Sequence, residues 1–393
     1  MKIVVTGGGS GGHITPILAV AQELRRIQAV HEVVYIGQRG DKLADIPAAD
    51  PNIDSVYTVS AGKLRRYSGE GWKQLLDLRT QWLNIRDMFR VLAGTWQSFW
   101  LLRKLRPDVI FTRGGFVSVP VALGGHLLGI PYITHDSDST PSLANRLIAR
   151  WAKVHAVALP AELYPYPHAK TEVVGVPISQ SYIPVDDLRR RSYRQELSIP
   201  EKGKVVLLTG GGNGARLLNE ALVANARYLL GTYPDLTLLH ITGRDLEDET
   251  RAAYEALQIG NALNRVKIVG FVTDLYRYSG AADIVIARGG ATNLAEFARQ
   301  GVACLIVPSK HLGWNVKNAA ALAERGAIEQ LTEDQVEQPE RLGRTLGSLL
   351  ENDEARAALA SAISTYARPE AAADLARLIV RVGTKETDVR AEK

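Results

Sequence analysis

Two glycine-rich turns constrain this chain more than any other feature, because each is wedged between an apolar strand and a helix. The first follows Lys2-Ile3-Val4-Val5-Thr6, reads GGGSGGH over 7–13, and leads into a helical stripe at Ile17, Val20, Ala21 and Leu24. The second follows Val205-Val206-Leu207-Leu208-Thr209, reads GGGNGA over 210–215, and leads into Leu218, Ala221 and Leu222. Such a turn presents backbone N–H groups at the positive end of a helix, where an anion can be held. Glycine also serves tight turns and close helix–strand packing, so one copy says little. Two copies, each opening its own run of strands and helices, predict two α/β domains facing across a cleft.

The length of 393 residues is enough for two substantial cores. The single cysteine, Cys304, precedes the apolar run Leu305-Ile306-Val307 and reads as a buried small hydrophobe. One cysteine allows no disulfide within the chain, which fits a reducing compartment. The first strand begins at residue 2, which leaves no room ahead of it for a signal peptide, and no apolar run reaches membrane-spanning length. A formal charge of +5 and a pI near 9.1 suit nucleic acid, anionic lipid and phosphorylated substrates alike, so charge does not choose among them.

Apolar runs alternating with helical patterns predict strands at 2–6, 32–37, 55–59, 108–112, 131–135, 154–158 and 171–175, the pattern of a mostly parallel, doubly wound sheet. Gly175-Val176-Pro177-Ile178 reads as the exit from that domain, followed by an arginine-rich stretch at 186–198. The second half repeats the alternation near 204–209, 236–241, 266–269, 283–287 and 304–308, and residues 339–380 read as helical. The expected organisation is a domain over 1–177, a second over 178–362, a terminal helix over 363–380 and a frayed polar tail over 381–393.

The turns discriminate among nucleotide chemistries. A P-loop needs Gly-Lys followed by Ser or Thr, whereas His13 and Ile14 follow Gly12, which argues against ATP or GTP hydrolysis. Gly7, Gly9 and Gly12 match the dinucleotide spacing, but that fold wants an acidic residue at the end of the second strand, and Gly37-Gln38-Arg39 offers none. His13 stands at the helix start with Pro16 in the first turn, where its missing N–H costs nothing. The positive helix end disfavours an imidazolium, so His13 is expected to be neutral and able to accept a proton; a ring that caps the helix or binds water is the alternative.

Several strings together resemble the MurG family: GGSGGHITPILAVAQEL at 8–24, RGGFVSVP at 113–120, HDSDSTPSLANRLIA at 135–149, VVGVPI at 173–178, GGGNGARLLN at 210–219 and RGGATNLAEF at 288–297. That family moves N-acetylglucosamine from UDP-GlcNAc to the undecaprenyl-linked muramoyl-pentapeptide, lipid I, giving lipid II in peptidoglycan synthesis. The resemblance implies a GT-B architecture of two Rossmann-like domains, with the acceptor on the first, the nucleotide sugar on the second and a C-terminal helix crossing back. It also implies inversion without a required metal or cofactor, no nucleic acid partner, and a peripheral place on the cytoplasmic face of the plasma membrane.

Inverting transfer needs a base for the acceptor hydroxyl and a means of stabilising the departing diphosphate. His13 matches the family's histidine and is the chosen base. Asp136 and Asp138 are its rivals, standing where the family carries glutamate and asparagine, with local turn-making as their alternative role. For the acceptor side the resemblance implies Ser10, Gly11, Gly12, Arg113, Gly114, Gly115 and Asn145. For the donor side it implies Gly211, Gly212, Asn213, Gly214, Phe271, Arg288, Gly289, Gly290, Ala291, Thr292 and Asn293. Glu296 takes the place of the family's ribose-holding glutamate, and Asn315 and Asn318 those of polar groups on the sugar. The chain departs from the family at Gly212-Asn213, where serine-glutamine is usual, and at Ser179, where an arginine is usual. Arg288 or Arg216 is the expected replacement for that arginine's diphosphate contact.

Between 72 and 100 lie four of the six tryptophans, and Leu75, Leu78, Trp82, Ile85, Phe89, Leu92, Trp96 and Phe99 recur in steps of three and four down one helix. Most of this stripe is expected to pack on the sheet. Lys63, Arg65, Arg66, Lys73 and Arg79 crowd its start beside Tyr67 and Trp72, which predicts docking of the 63–83 portion on an anionic membrane surface. Three other readings stand beside the transferase acting on lipid I. They are a UDP-GlcNAc epimerase of the same fold, a transferase acting on another glycolipid such as diacylglycerol, and a non-catalytic nucleotide-sugar sensor.

Overall fold

The structure, a computed structural model, describes residues 1–8, 11–41, 43–63, 78–338 and 340–391. Backbone contacts divide the chain into two compact units, Met1–Ser179 with Pro369–Lys393, and Gln180–Arg368.

The first unit holds seven strands: β1 (Lys2–Thr6), β2 (Glu32–Gln38), β3 (Ser55–Val59), β4 (Val109–Thr112), β5 (Tyr132–Asp136), β6 (Val154–Val157) and β7 (Thr171–Val173), in the order β3-β2-β1-β4-β5-β6-β7. All neighbours run parallel. Its helices are α1 (Gly11–Arg25), α2 (Asp45–Ala49), α3 (Leu78–Leu105), α4 (Ser118–Leu127), α5 (Leu143–Ile148) and, from the end of the chain, α15 (Ala371–Ala391). Successive residues of β1 point to opposite faces. Ile3 and Val5 join Ile17, Val20 and Leu24 of α1 and Leu375 and Ile379 of α15, whereas Val4 joins Leu102 and Val121 on the other face. Burial on both faces is why the central strands β1 and β4 are nearly unbroken apolar runs.

The second unit repeats the plan with β8 (Val205–Thr209), β9 (Thr237–Ile241), β10 (Val266–Val269), β11 (Ile284–Ala287), β12 (Ala303–Ile306) and β13 (Glu329–Gln330), ordered β10-β9-β8-β11-β12-β13 and parallel throughout. Its helices are α6 (Asp187–Glu196), α7 (Arg216–Thr232), α8 (Glu247–Ala256), α9 (Leu275–Ala281), α10 (Ala291–Gln300), α11 (Gly313–Ala323), α12 (Glu333–Val336), α13 (Arg341–Glu351) and α14 (Asp353–Ser364). Val206 and Leu208 pack on Leu218, Leu222, Leu342 and Leu346, while Val205 and Leu207 pack with Phe297 and Ile363.

In each sheet the chain leaves the first strand toward one edge and later returns on its other side, so β1 adjoins β4 and β8 adjoins β11. Ligands of open parallel sheets bind at such reversals, beyond the carboxyl ends of the strands. The two strands at each reversal end at the same level, with Thr6 opposite Thr112 and Thr209 opposite Ala287.

The twelve expected strands all form; β13, two residues at a sheet edge, is too short to leave a periodic signal. The helical reading of 339–380 resolves into three helices. Asn352 ends α13 and caps α14 by accepting from the Ala355 N–H at 2.9 Å, and residues 365–370, with Pro369, separate α14 from α15. The stretch after 380, expected to fray, instead continues α15 to Ala391, since no glycine or proline follows Gly383 to stop it.

The aromatic helix reverses an expectation. Trp82, Ile85, Phe89, Leu92 and Trp96, expected to pack on the sheet, are each more than half exposed, as are Trp100 and, just short of that, Met88. The inward face of α3 carries Thr80, Asp87, Gly94, Ser98 and Leu102. These small side chains let α3 approach its neighbours so closely that a Cβ on Gly94 would overlap the Ser60 carbonyl oxygen and lie 3.1 Å from Pro120. Residues 64–77, with Arg65, Arg66, Tyr67, Trp72, Lys73, Leu75 and Leu76, lie outside the described residues. Gly94→Val is expected to destabilise the protein by roughly 3 kcal/mol through this overlap, whereas Leu92→Ser changes stability by less than about 1 kcal/mol. Chemical denaturation of the two variants checks which face of α3 is packed.

Candidate active site

In the first unit, the turn after β1 and the turn after β4 are pressed together. The Arg113 N–H donates to the Thr6 carbonyl at 3.0 Å, and the buried Tyr35 hydroxyl donates to the Gly7 carbonyl. Gly114 and Gly115 both take positive φ, +92° and +83°, and a Cβ on Gly115 would lie 2.7 Å from the Gly8 oxygen. Only glycine meets both requirements.

Gly11 and Gly12 form the first turn of α1 and place His13 against the second of these turns. Its Nδ1 lies 3.3 Å from the Arg113 carbonyl oxygen. A carbonyl can only accept, so Nδ1 carries the proton and Nε2 keeps its lone pair. Burial, reinforced by the Arg113 charge and opposed by this hydrogen bond, holds the His13 pKa down to about 4. The imidazole is therefore neutral at pH 7, as expected, with burial as the main cause. Around the bare Cα of Gly114 three polar groups converge: a Cβ there would lie 3.1 Å from Ser142 Oγ, 3.5 Å from His13 Cε1 and 3.6 Å from Asn145 Oδ1.

The two aspartates have different surroundings. Asp136 ends β5 buried, and three donors occupy its carboxylate: the Ser142 N–H at 3.0 Å and Asn145 Nδ2 at 2.9 Å on Oδ1, and the Tyr166 hydroxyl at 2.7 Å on Oδ2. It braces the start of α5, where Ser142 also caps the helix through the Asn145 N–H at 3.1 Å. Burial raises the Asp136 pKa, and the bonds from Tyr166, Ser142 and Asn145 offset part of that rise. Asp138 is half-buried, and its charge, with that of Asp136, steadies the buried guanidinium of Arg113, which donates to Ser137 Oγ. Arg113 Nε, His135 Nδ1 and Asn145 Oδ1 are buried polar atoms with no partner among the described residues. Ser10 lies outside the described residues.

In the second unit the turn after β8 spans Gly211, Gly212, the exposed Asn213 and Gly214, and the Gly211 N–H donates to Thr209 Oγ1 at 3.2 Å. A Cβ on Gly212 would lie 3.4 Å from the ring of Phe271, which carries the Arg244 guanidinium 4.1 Å above it. The neighbouring turn runs Arg288-Gly289-Gly290 into α10, which Gly290 caps with no side-chain hydrogen bond; Ala291, Thr292 and Asn293 make its first turn. Glycine at the cap offers these N–H groups no side-chain acceptor of its own. Asn318 Nδ2 donates to the Gly289 carbonyl at 3.1 Å, and the backbone of the buried Asn315 lies against Gly289.

The Arg288 guanidinium, expected to favour a pyrophosphate, is bonded instead to Glu333 at 2.7 Å and to the Val307 carbonyl at 3.1 Å. Glu333 is buried, and a buried carboxylate draws in whatever cation can reach it. Arg216, the other expected replacement, pairs with Glu249 on the surface. Both guanidiniums are thus paired with carboxylates. Glu296, in the second turn of α10, is buried, and the hydroxyl of Tyr182, a residue that no motif marked, acts on its titration. Ser142 was findable as a capping residue before an apolar helix; Tyr166 and Glu333, like Tyr182, carried no local signal.

Family models fit both units: the glycosyltransferase family 28 N-terminal domain matches residues 3–157 and the family's C-terminal domain matches 205–375. The Moorella thermoacetica UDP-N-acetylglucosamine–N-acetylmuramyl-(pentapeptide) pyrophosphoryl-undecaprenol N-acetylglucosamine transferase is 31% identical over 390 residues, covering 97% of this chain and 99% of its own length. The chain belongs to glycosyltransferase family 28, in its MurG branch. The Geobacillus kaustophilus enzyme of the same name is 32% identical over 357 residues, 89% of this chain and 91% of its own. The crystal structure of Acinetobacter baumannii MurG superposes with a TM-score of 0.69 at 26% identity, covering 97% of this chain and 99% of that one. The two parallel-sheet units are those of the GT-B architecture. A UDP-GlcNAc 2-epimerase from Neisseria meningitidis also superposes, with a TM-score of 0.65, but at 13% identity this is a likeness of fold alone.

Burial pushes the Glu296 pKa up to about 8, against an ordinary 4.5, and the Tyr182 hydrogen bond partly opposes that rise. The fold thus prefers the neutral acid. This contribution to stability is complete below pH 4.5 and is lost as pH rises through about 8. Relative to Glu296→Gln, which stays neutral, the parent is expected to lose on the order of a few kcal/mol of unfolding free energy between pH 5 and pH 9. Parallel denaturation profiles for the two proteins would contradict a burial-driven shift.

Proposed function

We propose that this protein is an inverting N-acetylglucosaminyltransferase that takes the sugar from UDP-GlcNAc and attaches it to the C4 hydroxyl of an undecaprenyl-pyrophosphoryl muramoyl-pentapeptide, in peptidoglycan synthesis. The end-to-end match to MurG relatives carries this reading. The first unit supplies the acceptor side. His13 Nε2 accepts the proton of the attacking hydroxyl as its oxygen bonds to the anomeric carbon, and the bond from that carbon to the diphosphate breaks. UDP departs with the bonding pair. The neutral imidazole and its fixed tautomer support this role. Asp136, with three donors on its carboxylate, sets the position of Ser142 and Asn145 beside Gly114. On the donor side the backbone N–H groups at the start of α10 meet the diphosphate charge, and Glu296 receives the ribose hydroxyls.

The acceptor is lipid-linked, and the outward face of α3 suits an anionic membrane surface. Trp82, Ile85, Met88, Phe89, Leu92, Trp96 and Trp100 form one exposed apolar ridge, with the Arg86 and Arg103 guanidiniums over the rings of Trp82 and Trp100. Aromatic residues with cationic neighbours settle at the headgroup level of a bilayer. Among the described residues no helix is long and apolar enough to cross a membrane. The reading of a nucleotide-sugar donor supports a docking on the cytoplasmic face.

Purified protein given UDP-sugars and a short-chain lipid-linked muramoyl-pentapeptide is expected to transfer only N-acetylglucosamine. His13→Ala is expected to lower kcat by about 10²–10⁴-fold while UDP affinity is retained. Transfer that survives the His13 change would move the base role elsewhere, and release of a free sugar epimer would favour an epimerase. Sedimentation with anionic vesicles should fall at least about tenfold when Trp82, Phe89 and Trp96 all become Ser; undiminished binding would remove α3 from the membrane contact.

A further inference from the structure

We propose that Arg244 is a donor-binding residue: its guanidinium, held on the Phe271 ring beside the glycine turn after β8, pairs with the diphosphate of a uridine nucleotide. This rests on the reading above that the second unit takes UDP-GlcNAc.

The turns after β8, β9 and β10 are laced together through their backbones. The Thr242 N–H donates to the Val269 carbonyl at 3.0 Å and the Gly243 N–H to the Gly270 carbonyl at 2.9 Å, and a Cβ on Gly243 would overlap the Gly214 backbone. Arg244 and Phe271 therefore leave the sheet at fixed places, beyond the carboxyl ends of parallel strands, where ligands of such sheets bind. The Arg244 N–H donates to the Gly212 carbonyl at 3.5 Å, and a Cβ on Gly212 would lie 3.4 Å from the Phe271 ring. A Cβ on Gly211 would meet nothing within 4 Å, so the turn is bare on that side.

The exposed guanidinium of Arg244 lies 4.1 Å from the centre of the Phe271 ring. Stacking on an aromatic face holds the guanidinium by its plane and leaves its edge N–H groups to meet an oxyanion in pairs. Among the described residues no carboxylate pairs with Arg244, whereas Arg288 and Arg216 are committed to Glu333 and Glu249. Glu247, three residues on, is taken by the Gly270 N–H at 2.7 Å and by Arg251 at 2.8 Å. Strands β9 and β11 flank β8, so the strands that lead to Arg244 and to α10 are about 10 Å apart. A diphosphate over the end of β8 then has the helix N–H groups on one side and a full positive charge on the other.

The test is equilibrium binding of UDP and of uridine to the full chain, for the parent and for Arg244→Gln, an exposed change that leaves the core untouched. UDP affinity should fall about tenfold and uridine affinity should stay the same. The variant's UDP affinity should also vary less with salt than the parent's, because one charge pair is gone. Unchanged UDP affinity would overturn the proposal. So would an equal loss for both ligands, which would put the guanidinium on the base or make its role structural. A parent that binds neither ligand would instead refute the donor reading itself, and the role of Arg244 would fall with it.

Discussion

Backbone meeting backbone at the carboxyl ends of β1 and β4 is the constraint on which the first unit's chemistry depends. Two parallel strands that end side by side send their chains into turns competing for one space. The competition is resolved by removing side chains, so that Gly115 sits on the Gly8 carbonyl and Arg113 is hydrogen-bonded to Thr6. His13 then finds a carbonyl acceptor for one ring nitrogen, which fixes the other as the basic one. The second unit solves the same problem at β8 and β11 with a different outcome. Its turns expose N–H groups, and its charged side chain, Arg288, is used to neutralise Glu333.

Much of this was legible beforehand. Central parallel strands buried on both faces read as unbroken apolar runs, and the edge strands β3, β7 and β10, less buried, were still placed by the alternation of strand and helix. The turns, the neutral histidine and the family resemblance followed from local strings. What escaped depends on partners distant in sequence. The partner of Arg288, Glu333, lies far down the chain from it. Nothing near Asp136, a rival to His13 for the base, announces the hydroxyl of Tyr166 on its carboxylate. Tyr182 stands between the exit read at 175–178 and the arginine-rich stretch at 186–198, in residues that carried no reading. A motif reports the chemistry available at a position, while the fold decides what remains after neighbours have bonded to it.

The aromatic helix shows the limit of periodicity most directly. Steps of three and four establish that α3 has one apolar face without saying whether that face meets protein or solvent. The informative signal lay on the opposite side, in Thr80, Gly94 and Ser98, whose small side chains permit a close approach that large apolar ones would block. A ridge of tryptophans left in water costs solubility, and its retention is in keeping with a lipid-borne acceptor.

Helix α15 brings the last part of the chain to the first part. Leu375, Ala376, Leu378, Ile379 and Val382 lie in the same core cluster as Ile3 and Val5 of β1. A ribosome delivers those residues only after the whole of Gln180–Arg368 has emerged. The N-terminal layer must therefore wait, with one apolar side of its sheet incompletely covered, while the later-made unit is already able to fold. Nascent-chain order and order of completion are opposite in this protein, and the interval between them is when its oldest strands are most vulnerable to a chaperone's grasp or to aggregation.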